Sequence, residues 1–293
     1  MEQYVFTYGT LMKNRSAYNK FAKLEYVCDA TLNDYGIYDA PYYPCAVKIE
    51  GFKIIGEIYK VNNEQLNFLD RYEDEGDLYI RKEVLVIGAD NKEYKVWFYE
   101  YNHDTSNLIL RCPKNEKWNL AKDPISNYAW YVCYGSNLLR ERFDYYLKKT
   151  KGVVYAEKKI IFDGELYFAK KSVKWENGGV AFVDLDNKRK KIYGYAYLLD
   201  LDQIDKISFE EGRWYPKQFI KIDEYGIDMY TVNGNYSGEI NKPCLAYAEI
   251  IAAGLKQRYN LSDKEIINYL KIETVKKLDL SENHIKDILI KHC

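Results

Sequence analysis

A repeated pattern is the strongest constraint on how this 293-residue chain can fold. The sequence Val-Phe-Thr-Tyr-Gly-Thr-Leu at residues 5–11 has a counterpart, Tyr-Val-Cys-Tyr-Gly-Ser-Asn, at residues 131–137. In both, a short apolar run typical of a strand leads into Tyr-Gly-(Thr/Ser), and Gly9 and Gly135 are 126 residues apart. Self-similarity in the same order along the chain indicates that one structural unit occurs twice.

Two further blocks repeat in the same order. Glu73 matches Glu211 at an offset of 138 residues, and glycines, tyrosines and glutamines upstream share that offset. Downstream, Tyr79 matches Tyr215 at an offset of 136 residues. The offset therefore grows by twelve between the first two blocks, so the second copy carries an insertion there, and it loses two residues after the glutamate.

The chain length also favours two domains over one. Turn-forming sequences, Asp-Thr-Ser-Asn at 104–107 and Asp-Pro-Ile-Ser-Asn at 123–127, lie between the two copies. We therefore expect a first domain at residues 1–103, a linker at 104–127, and a second domain with a helical C-terminal extension at 128–293.

The coarse secondary structure is mixed. β-branched and aromatic runs predict strands, and amphipathic spacing predicts helices. In the extension, Gly254 is expected to end one helix, and Ser262 with Glu265 forms a capping-box pattern that begins another. Expected strands are 4–7, 46–49, 54–59, 83–87 and 94–99, then 130–134, 179–184, 193–198 and 218–222; expected helices are 63–72, 138–149, 201–209, 246–255, one starting at Ser262, and one from about 282.

Composition excludes several functions. A formal net charge of -1 argues against a dedicated nucleic-acid binder. No stretch reaches about 18 apolar residues, and the N-terminus does not resemble a signal peptide, so no membrane span is expected. The six cysteines form no C-x-x-C pair, which favours reduced thiols and a cytoplasmic protein. Three histidines make a His-rich metal site hard to build, so no metal is expected.

The blocks together resemble the γ-glutamylcyclotransferase superfamily. The first copy, with Tyr-Gly-Thr-Leu at 8–11, Leu-Asp-x-x-Glu at 69–73 and Tyr-x-Arg at 79–81, is similar to the AIG2-like and γ-glutamylamine-cyclotransferase branch. The second copy, with Tyr-Gly-Ser-Asn at 134–137, is similar to a bacterial branch, but it replaces Leu-Asp by Ile-Ser at 207–208 and Ile-Arg by Pro-Lys at 216–217. The resemblance covers nearly the whole chain apart from the linker and about the last twenty residues.

The resemblance implies a mixed α/β fold, with two tandem domains that are each a small, partly open β-barrel with flanking helices. It also implies conversion of a small γ-glutamyl amine, amino acid or peptide to 5-oxoproline, which needs no cofactor. Glu73 and Glu211 would be the acid/base residues, and the Tyr-Gly loops would hold the glutamyl group through backbone amides. The substrate-binding residues implied are Tyr8, Gly9, Thr10, Leu11 and Tyr79 in the first copy, and Tyr134, Gly135, Ser136, Asn137 and Tyr215 in the second.

The chemistry asks for few protein groups. The α-amine of a γ-glutamyl amide is a tethered nucleophile for its own γ-carbonyl, so positioning supplies much of the rate. One partly desolvated carboxylate can take a proton from the α-ammonium and give it to the leaving amine. A structural interpretation stays open for each residue: Glu73 can be a surface acid, the glycine loops can be simple strand-to-helix turns, and Arg81 can pair with surface acids.

Two other functions also stay open. One or both pockets could only bind a small ligand, or the second copy could stabilise an active first copy. Tailoring of a γ-glutamyl-protected metabolite is a third, weaker hypothesis. Two fused copies can replace a homodimer, which is compatible with a monomer, and the leaving amine is not identified by the sequence.

Overall fold

Strands form most of both halves of the chain, and short helices connect or cover them. The structure, a computed structural model, describes residues 3–15, 17–18, 24–41, 43–118, 124–212, 214–234, 239–272 and 277–292. It divides into two compact units, Met1–Ser126 and Asn127–Cys293. The division falls at the end of the segment in which a linker was expected.

The first unit is built on strands that pair mostly antiparallel. The helix between the third and fourth strands begins where sequence predicts it, because Asn62 and Gln65 form a reciprocal capping box. The elements are β1 (Gln3–Thr7), β2 (Glu25–Asp39), β3 (Pro44–Val61), α1 (Asn63–Tyr72), β4 (Tyr79–Gly88), β5 (Glu93–Tyr101) and β6 (Ile109–Leu110).

These strands close into a barrel. They run in the order β3-β1-β5-β4-β2, and β2 pairs again with β3, while β6 extends the edge of β2. The β1–β5 pairing is parallel and the other barrel pairings are antiparallel. Sequence analysis predicted a partly open barrel; the first unit differs because Ala30 and Thr31 of β2 pair with β4 and complete the ring.

Alternation along β1 produces two apolar clusters in the first unit. Successive strand side chains point to opposite faces. Phe6 and Ile58 therefore lie in one cluster with Phe98, whereas Val5 and Tyr59 lie in the other with residues of α1. The second cluster fixes α1 against the outside of β1 and β3, so that the C-terminal end of the helix lies near the end of β1.

Much of the segment expected as a linker belongs to the first unit. Beyond the β6–β2 pairing, the Arg111 guanidinium donates to Asp39 at 2.9 Å, and Trp118 Nε1 donates to the same carboxylate at 2.8 Å. Lys117 Nζ lies 2.5 Å from the buried Glu57 carboxylate. Polar pairs between residues so far apart in sequence have no local signature, which is why the segment was predicted as a linker.

The second unit is larger and includes three helices after its last strand. A short 3-10 helix at Ser136–Leu138 follows its first strand. The elements are β7 (Tyr128–Cys133), α2 (Arg140–Thr150), β8 (Ala156–Asp163), β9 (Glu165–Ser172), β10 (Gly178–Asp184), β11 (Lys191–Asp200), α3 (Leu201–Glu211), β12 (Lys217–Ile222), β13 (Asp228–Val232), α4 (Leu245–Tyr259), α5 (Asp263–Leu270) and α6 (Glu282–His292).

The main sheets of the two units have the same strand order. In the second unit it is β12-β13-β7-β11-β8, which matches β4-β5-β1-β3-β2. The register also matches: Val5 pairs with Tyr59 and Trp97, and Tyr131 pairs with Tyr197 and Tyr230. Val5 and Tyr131 are 126 residues apart, and Tyr59 and Tyr197 are 138 apart, which are the two offsets found in the sequence.

The C-terminal helices are confirmed, with one correction. The capping box at Ser262 and Glu265 begins α5 as predicted. However, α4 does not stop after Gly254 but continues to Tyr259, with Asn260 in the left-handed conformation after it. Gly254 serves close packing instead, because a Cβ there would lie 2.5 Å from the Leu139 backbone nitrogen. Each helix in the described parts of the chain is too short or too polar to cross a bilayer.

Candidate functional site

A pocket of about 140 Å³ lies where β1 of the first unit ends. The structure brings together here all six residues that sequence analysis proposed for the first copy. They come from the end of β1, the C-terminal end of α1 and the start of β4. The pocket is lined by Phe6, Thr7, Tyr8, Gly9, Thr10, Leu11, Tyr43, Pro44, Tyr72, Glu73, Leu78, Tyr79 and Tyr99.

The loop after β1 presents backbone donors to this pocket. Among the described residues, no acceptor takes a hydrogen bond from the N–H groups of Gly9, Thr10 and Leu11. Gly9 is required by close approach, because a Cβ would lie 2.6 Å from Cγ of Pro44. The Tyr8 hydroxyl donates to the Tyr99 carbonyl oxygen at 2.9 Å and ties the loop to β5. A turn with unpaired N–H groups can bind a carboxylate or an oxyanion.

Glu73 is the residue that follows the last turn of α1. Its N–H donates to the Leu69 carbonyl, and Asp74 then adopts a left-handed conformation that turns the chain away. The carboxylate faces the pocket and is partly buried, and no described residue donates a hydrogen bond to it. Burial therefore raises the pKa of Glu73 to about 7. Such a group can accept and return a proton near neutral pH.

Tyr79 reaches the same pocket from the start of β4. Its hydroxyl donates to the Pro44 carbonyl oxygen at 2.9 Å. Burial, with a smaller contribution from Tyr8 and Glu73, raises the pKa of Tyr79 far above the ordinary value, so the phenol stays neutral. Since its proton is used by Pro44, the hydroxyl oxygen is left to accept hydrogen bonds from a ligand such as an ammonium group.

Two residues of the sequence motifs have positioning roles that sequence reasoning left open. Asp70 accepts a hydrogen bond from the Tyr99 hydroxyl at 2.7 Å and from Arg81 Nη1 at 2.8 Å. The Asp of Leu-Asp-x-x-Glu and the Arg of Tyr-x-Arg thus form one ion pair, which joins α1 to β4. This pair orients the end of the helix that carries Glu73.

Thr7 is a pocket residue that sequence reasoning missed. It is the last residue of β1, and its hydroxyl oxygen is buried with no hydrogen-bond partner among the described residues. A buried polar atom beside a pocket is commonly satisfied by water or by a ligand. Its place directly before the Tyr-Gly motif was the available signal, but a strand threonine is more often structural.

The second unit has a corresponding pocket of about 190 Å³. All six residues proposed for the second copy line it: Tyr134, Gly135, Ser136, Asn137, Glu211 and Tyr215. Sequence analysis did not propose the remaining residues of its wall, because most lie outside the repeated motifs. These are Tyr131, Cys133, Arg142, Tyr146, Ser172, Lys174, Trp175, Val180, Ala181, Glu210, Trp214, Thr231, Val232 and Tyr247.

The tyrosine tethers of the first pocket recur in the second. The Tyr134 hydroxyl lies 3.2 Å from the Val232 carbonyl oxygen, which corresponds to the bond from Tyr8. It is also 2.8 Å from Asn233 Oδ1. The Tyr215 hydroxyl donates to the Ala181 carbonyl oxygen at 2.9 Å, as Tyr79 donates to Pro44. The two loops are therefore held in the same way.

The acid of the second pocket has a different environment. Asn137 Nδ2 donates to Glu211 Oε1 at 2.9 Å and lies 3.0 Å from the Tyr131 hydroxyl. The corresponding residue in the first pocket is Leu11, whose side chain cannot donate a hydrogen bond. Asn137 Oδ1 is buried and accepts no hydrogen bond from the described residues, so it could accept one from a ligand.

The link between helix and strand is also rebuilt in the second unit. Ser208 replaces the aspartate and donates to the Tyr215 carbonyl oxygen at 2.8 Å. Lys217 replaces the arginine and pairs with Asp205, one helical turn earlier, at 2.5 Å. The departures from the motif of the first copy therefore keep α3 attached to β12 through other groups.

Comparison with known proteins identifies the family. The family described as γ-glutamyl cyclotransferase, AIG2-like, matches residues 5–120. A Methanocaldococcus jannaschii protein whose name assigns it to the γ-glutamylcyclotransferases is 33% identical over 111 residues, which are 36% of this chain and 91% of that protein. γ-Glutamylaminecyclotransferase A of Danio rerio is 33% identical over 107 residues, which are 32% of this chain and 66% of that protein.

Solved structures give matches of lower identity. A Mus musculus AIG2-like protein is 20% identical and matches 40% of this chain and 88% of its own, with a TM-score of 0.37. Bacillus subtilis YkqA is 17% identical over 98% of both chains, with a TM-score of 0.34. The identity to the Methanocaldococcus jannaschii protein over nearly its whole length decides the assignment. This chain belongs to the γ-glutamylcyclotransferase, AIG2-like family.

Proposed function

We propose that the first unit closes the γ-glutamyl group of a small amine, amino acid or peptide into 5-oxoproline and releases the free amine. One observation carries the proposal: a carboxyl group with a pKa of about 7, Glu73, lies in the same pocket as the available N–H groups of residues 9–11. The family membership supports the same reaction.

The proton transfers follow from the position of Glu73. Ionised Glu73 takes a proton from the substrate α-ammonium, and the freed amine attacks the γ-carbonyl carbon. A C–N bond forms and the carbonyl electrons move onto oxygen. When the tetrahedral intermediate collapses, the bond to the leaving nitrogen breaks and Glu73 returns the proton to that nitrogen. The new ring nitrogen gives up its second proton, which the released amine takes up as an ammonium ion. A pKa near working pH makes one group effective in both directions.

The other pocket groups bind and orient. The N–H groups of the loop can hold the glutamyl carboxylate or the developing oxyanion, where fixed donors lower the barrier most. Tyr79 and Thr7 offer oxygen acceptors toward the α-ammonium. Because the nucleophile is tethered within the substrate, this positioning supplies much of the rate.

We infer that the second unit is a tandem copy of the first, divided from it near residue 126. The shared strand order, register and tyrosine tethers support this duplication.

The pocket of the second unit is either a second cyclising site with Glu211 as the acid/base or a ligand-binding site. The hydrogen bond from Asn137 to Glu211 has no counterpart among the described residues of the first pocket, so the two acids have different surroundings. A monomeric, cytoplasmic protein is expected, and free thiols at all five described cysteines support a reducing compartment.

The test is release of 5-oxoproline, measured by mass spectrometry, from γ-glutamyl amines, amino acids and glutathione. Glu73→Gln keeps the side-chain size but removes the titrating group, and Glu75→Gln, an exposed residue outside the pocket, is the matched control. We expect Glu73→Gln to remove the first unit's activity and Glu75→Gln to retain it. If the folded wild-type protein produces no 5-oxoproline from any of these substrates, cyclisation is refuted and only ligand binding remains as a function.

The same assay separates the roles of the two units. If Glu211→Gln leaves total turnover unchanged, the second pocket does not cyclise the substrates tested. If each single variant loses part of the turnover and the double variant loses all of it, both pockets cyclise. Circular dichroism of every variant shows whether a loss of turnover reflects a loss of fold.

A further inference from the structure

The two pockets differ in the charges that line them. Among the described lining residues of the first pocket, Glu73 is the only acid and there is no Lys, Arg or His. The second pocket has two acids, Glu210 and Glu211, and two cations, Arg142 and Lys174. Glu210 forms an ion pair with Lys149, so its charge is already compensated. The second pocket is therefore better suited to an anionic ligand than the first.

Arg142 is the buried member of this group. It lies in the first turn of α2, and the residue is 2% exposed. Nη2 donates to the Tyr146 hydroxyl at 3.0 Å, and the guanidinium carbon lies 4.6 Å from the centre of the Tyr146 ring. A guanidinium held in one orientation by a neighbouring ring is preorganised for a planar anion.

Tyr146 connects Arg142 with the proposed acid/base. Burial raises the pKa of Tyr146, the Glu211 charge raises it further, and the Arg142 charge opposes this. The hydroxyl thus lies within the electrostatic reach of both groups. Arg142, Tyr146 and Glu211 line the same pocket as the loop at residues 135–137. If the N–H groups of that loop hold the glutamyl group, as proposed for the first pocket, Arg142 would face the departing part of the ligand.

We propose that the second pocket takes a γ-glutamyl compound whose departing part carries a carboxylate, with Arg142 as the specificity-determining residue, whereas the first pocket takes one whose departing part is uncharged. This inference rests on the proposed γ-glutamyl chemistry. Arginine binds carboxylates through two parallel hydrogen bonds, and burial strengthens the attraction. In the first pocket a carboxylate would meet Glu73 with no cation among the described lining residues.

The test compares two ligands that differ by one carboxylate, γ-glutamylalanine and γ-glutamylethylamine. Binding is measured by titration calorimetry and turnover by 5-oxoproline release. Glu73→Gln silences turnover in the first pocket, so the remaining turnover reports the second. In this background we expect γ-glutamylalanine to be preferred, and Arg142→Gln to raise its KM and the Kd of the second site by about tenfold or more. The KM and Kd for γ-glutamylethylamine should change by less than about twofold, because this ligand has no second carboxylate for Arg142 to contact.

Arg140→Gln is the matched control. Arg140 is two residues earlier on the same helix, pairs with Asp144 and Glu157, and does not line the pocket. It should leave the preference for γ-glutamylalanine unchanged. Arg142→Lys, which keeps the charge but loses the fork, should retain part of the preference. If Arg142→Gln fails to fold, a selective loss for γ-glutamylalanine in Arg142→Lys is the supporting result.

Other results would contradict the proposed role of Arg142 or of the second unit. An equal loss of affinity for both ligands in Arg142→Gln would mean that Arg142 holds the glutamyl carboxylate, and an unchanged preference would mean that it holds neither; each overturns the proposal. Carboxylate-selective binding without 5-oxoproline would keep the role of Arg142 and refute cyclisation in the second unit. Cyclisation by the first unit with no γ-glutamyl binding to the second would refute this inference alone.

Discussion

Asn137 donates a hydrogen bond from Nδ2 to Oε1 of Glu211 at 2.9 Å. The first unit has Leu11 at the position of Asn137, and Glu73 there has no hydrogen-bond donor among the described residues. The two acids therefore have the same place in the fold but different constraints. Glu211 is oriented by a side chain, whereas the properties of Glu73 come from burial.

The first prediction follows from this bond. Asn137→Leu, in the Glu73→Gln background, should lower turnover by the second unit about tenfold or more, because hydrogen bonds to charged groups are worth about 1.5–3 kcal/mol. The measurement is kcat for 5-oxoproline release from γ-glutamylalanine. The same substitution in the Glu211→Gln background, assayed with γ-glutamylethylamine, is the control, since first-unit turnover should not change there. Equal turnover with and without Asn137 would show that the bond has no catalytic role.

The second prediction concerns pH and activity. Because burial raises the pKa of Glu73 to about 7, its ionised, proton-accepting form is lost as pH falls through that value. In the Glu211→Gln background, kcat/KM should therefore decline about tenfold per pH unit below pH 7. A pH–rate profile from pH 5 to 9 measures this. An inflection near pH 4.5, the ordinary value for glutamate, would show that Glu73 is solvated in the free enzyme.

The third prediction concerns pH and stability. The folded-state pKa of Glu73 lies above its unfolded value of 4.5, so the stability from the protonated form is complete below about pH 4.5 and is lost as pH rises through about 7. Glu73→Gln is neutral throughout. It should raise the free energy of unfolding by about 1–3 kcal/mol at pH 8, an amount reduced by the partial exposure of the side chain.

Urea unfolding at pH 4.5 and pH 8 measures this difference. The advantage of Glu73→Gln should be much smaller at pH 4.5, where wild-type Glu73 is also protonated. Glu75→Gln, which changes an exposed acid, should show no such pH dependence. If Glu73→Gln and wild type are equally stable at pH 8, burial does not penalise the charged carboxylate.

The fourth prediction concerns the loop after β1. Gly9→Ala places a Cβ 2.6 Å from Cγ of Pro44, and overpacking of this kind typically costs about 1–3 kcal/mol. Since Pro44 also accepts the Tyr79 hydrogen bond, the shift should lower first-unit kcat/KM as well. Pro44→Ala removes the clashing atoms. The double variant should therefore recover part of the loss, and purely additive effects in the double-mutant cycle would contradict the proposed contact.

The sequence predicted the parts of this fold that have local causes. Helix α1 has the predicted bounds, Asn63–Tyr72, because its capping box and apolar spacing are local. The repeat offsets also predicted which residues would share a strand register. In contrast, β2 was missed, since its register shifts near Tyr26 and Asn33 interrupt the alternation that marks a strand. Gly254 was wrongly predicted to end a helix because the sequence does not distinguish a glycine that ends a helix from one that allows close packing inside a helix.

The candidate site divides in the same way. The motif residues could be placed by resemblance, and the structure brings them into two pockets. Arg142 and Thr7 could not be found, because an arginine in a helix and a threonine in a strand are ordinary until tertiary packing buries them beside a pocket. The same reason applies to Arg111, whose partner is 72 residues away.

The last prediction tests whether the segment after β5 is an integral part of the first unit. Arg111 and Asp39 form an ion pair with side chains only 8% and 4% exposed, whereas the Arg81–Asp70 pair is 26% and 23% exposed. Removing one partner of a buried pair leaves an uncompensated charge, so Arg111→Leu should cost about 3–5 kcal/mol. Arg81→Leu should cost about 1 kcal/mol or less. Urea unfolding followed by tryptophan fluorescence measures both. Equal costs would show that residues 104–118 contribute no more to stability than a surface pair, and that the domain ends near residue 103.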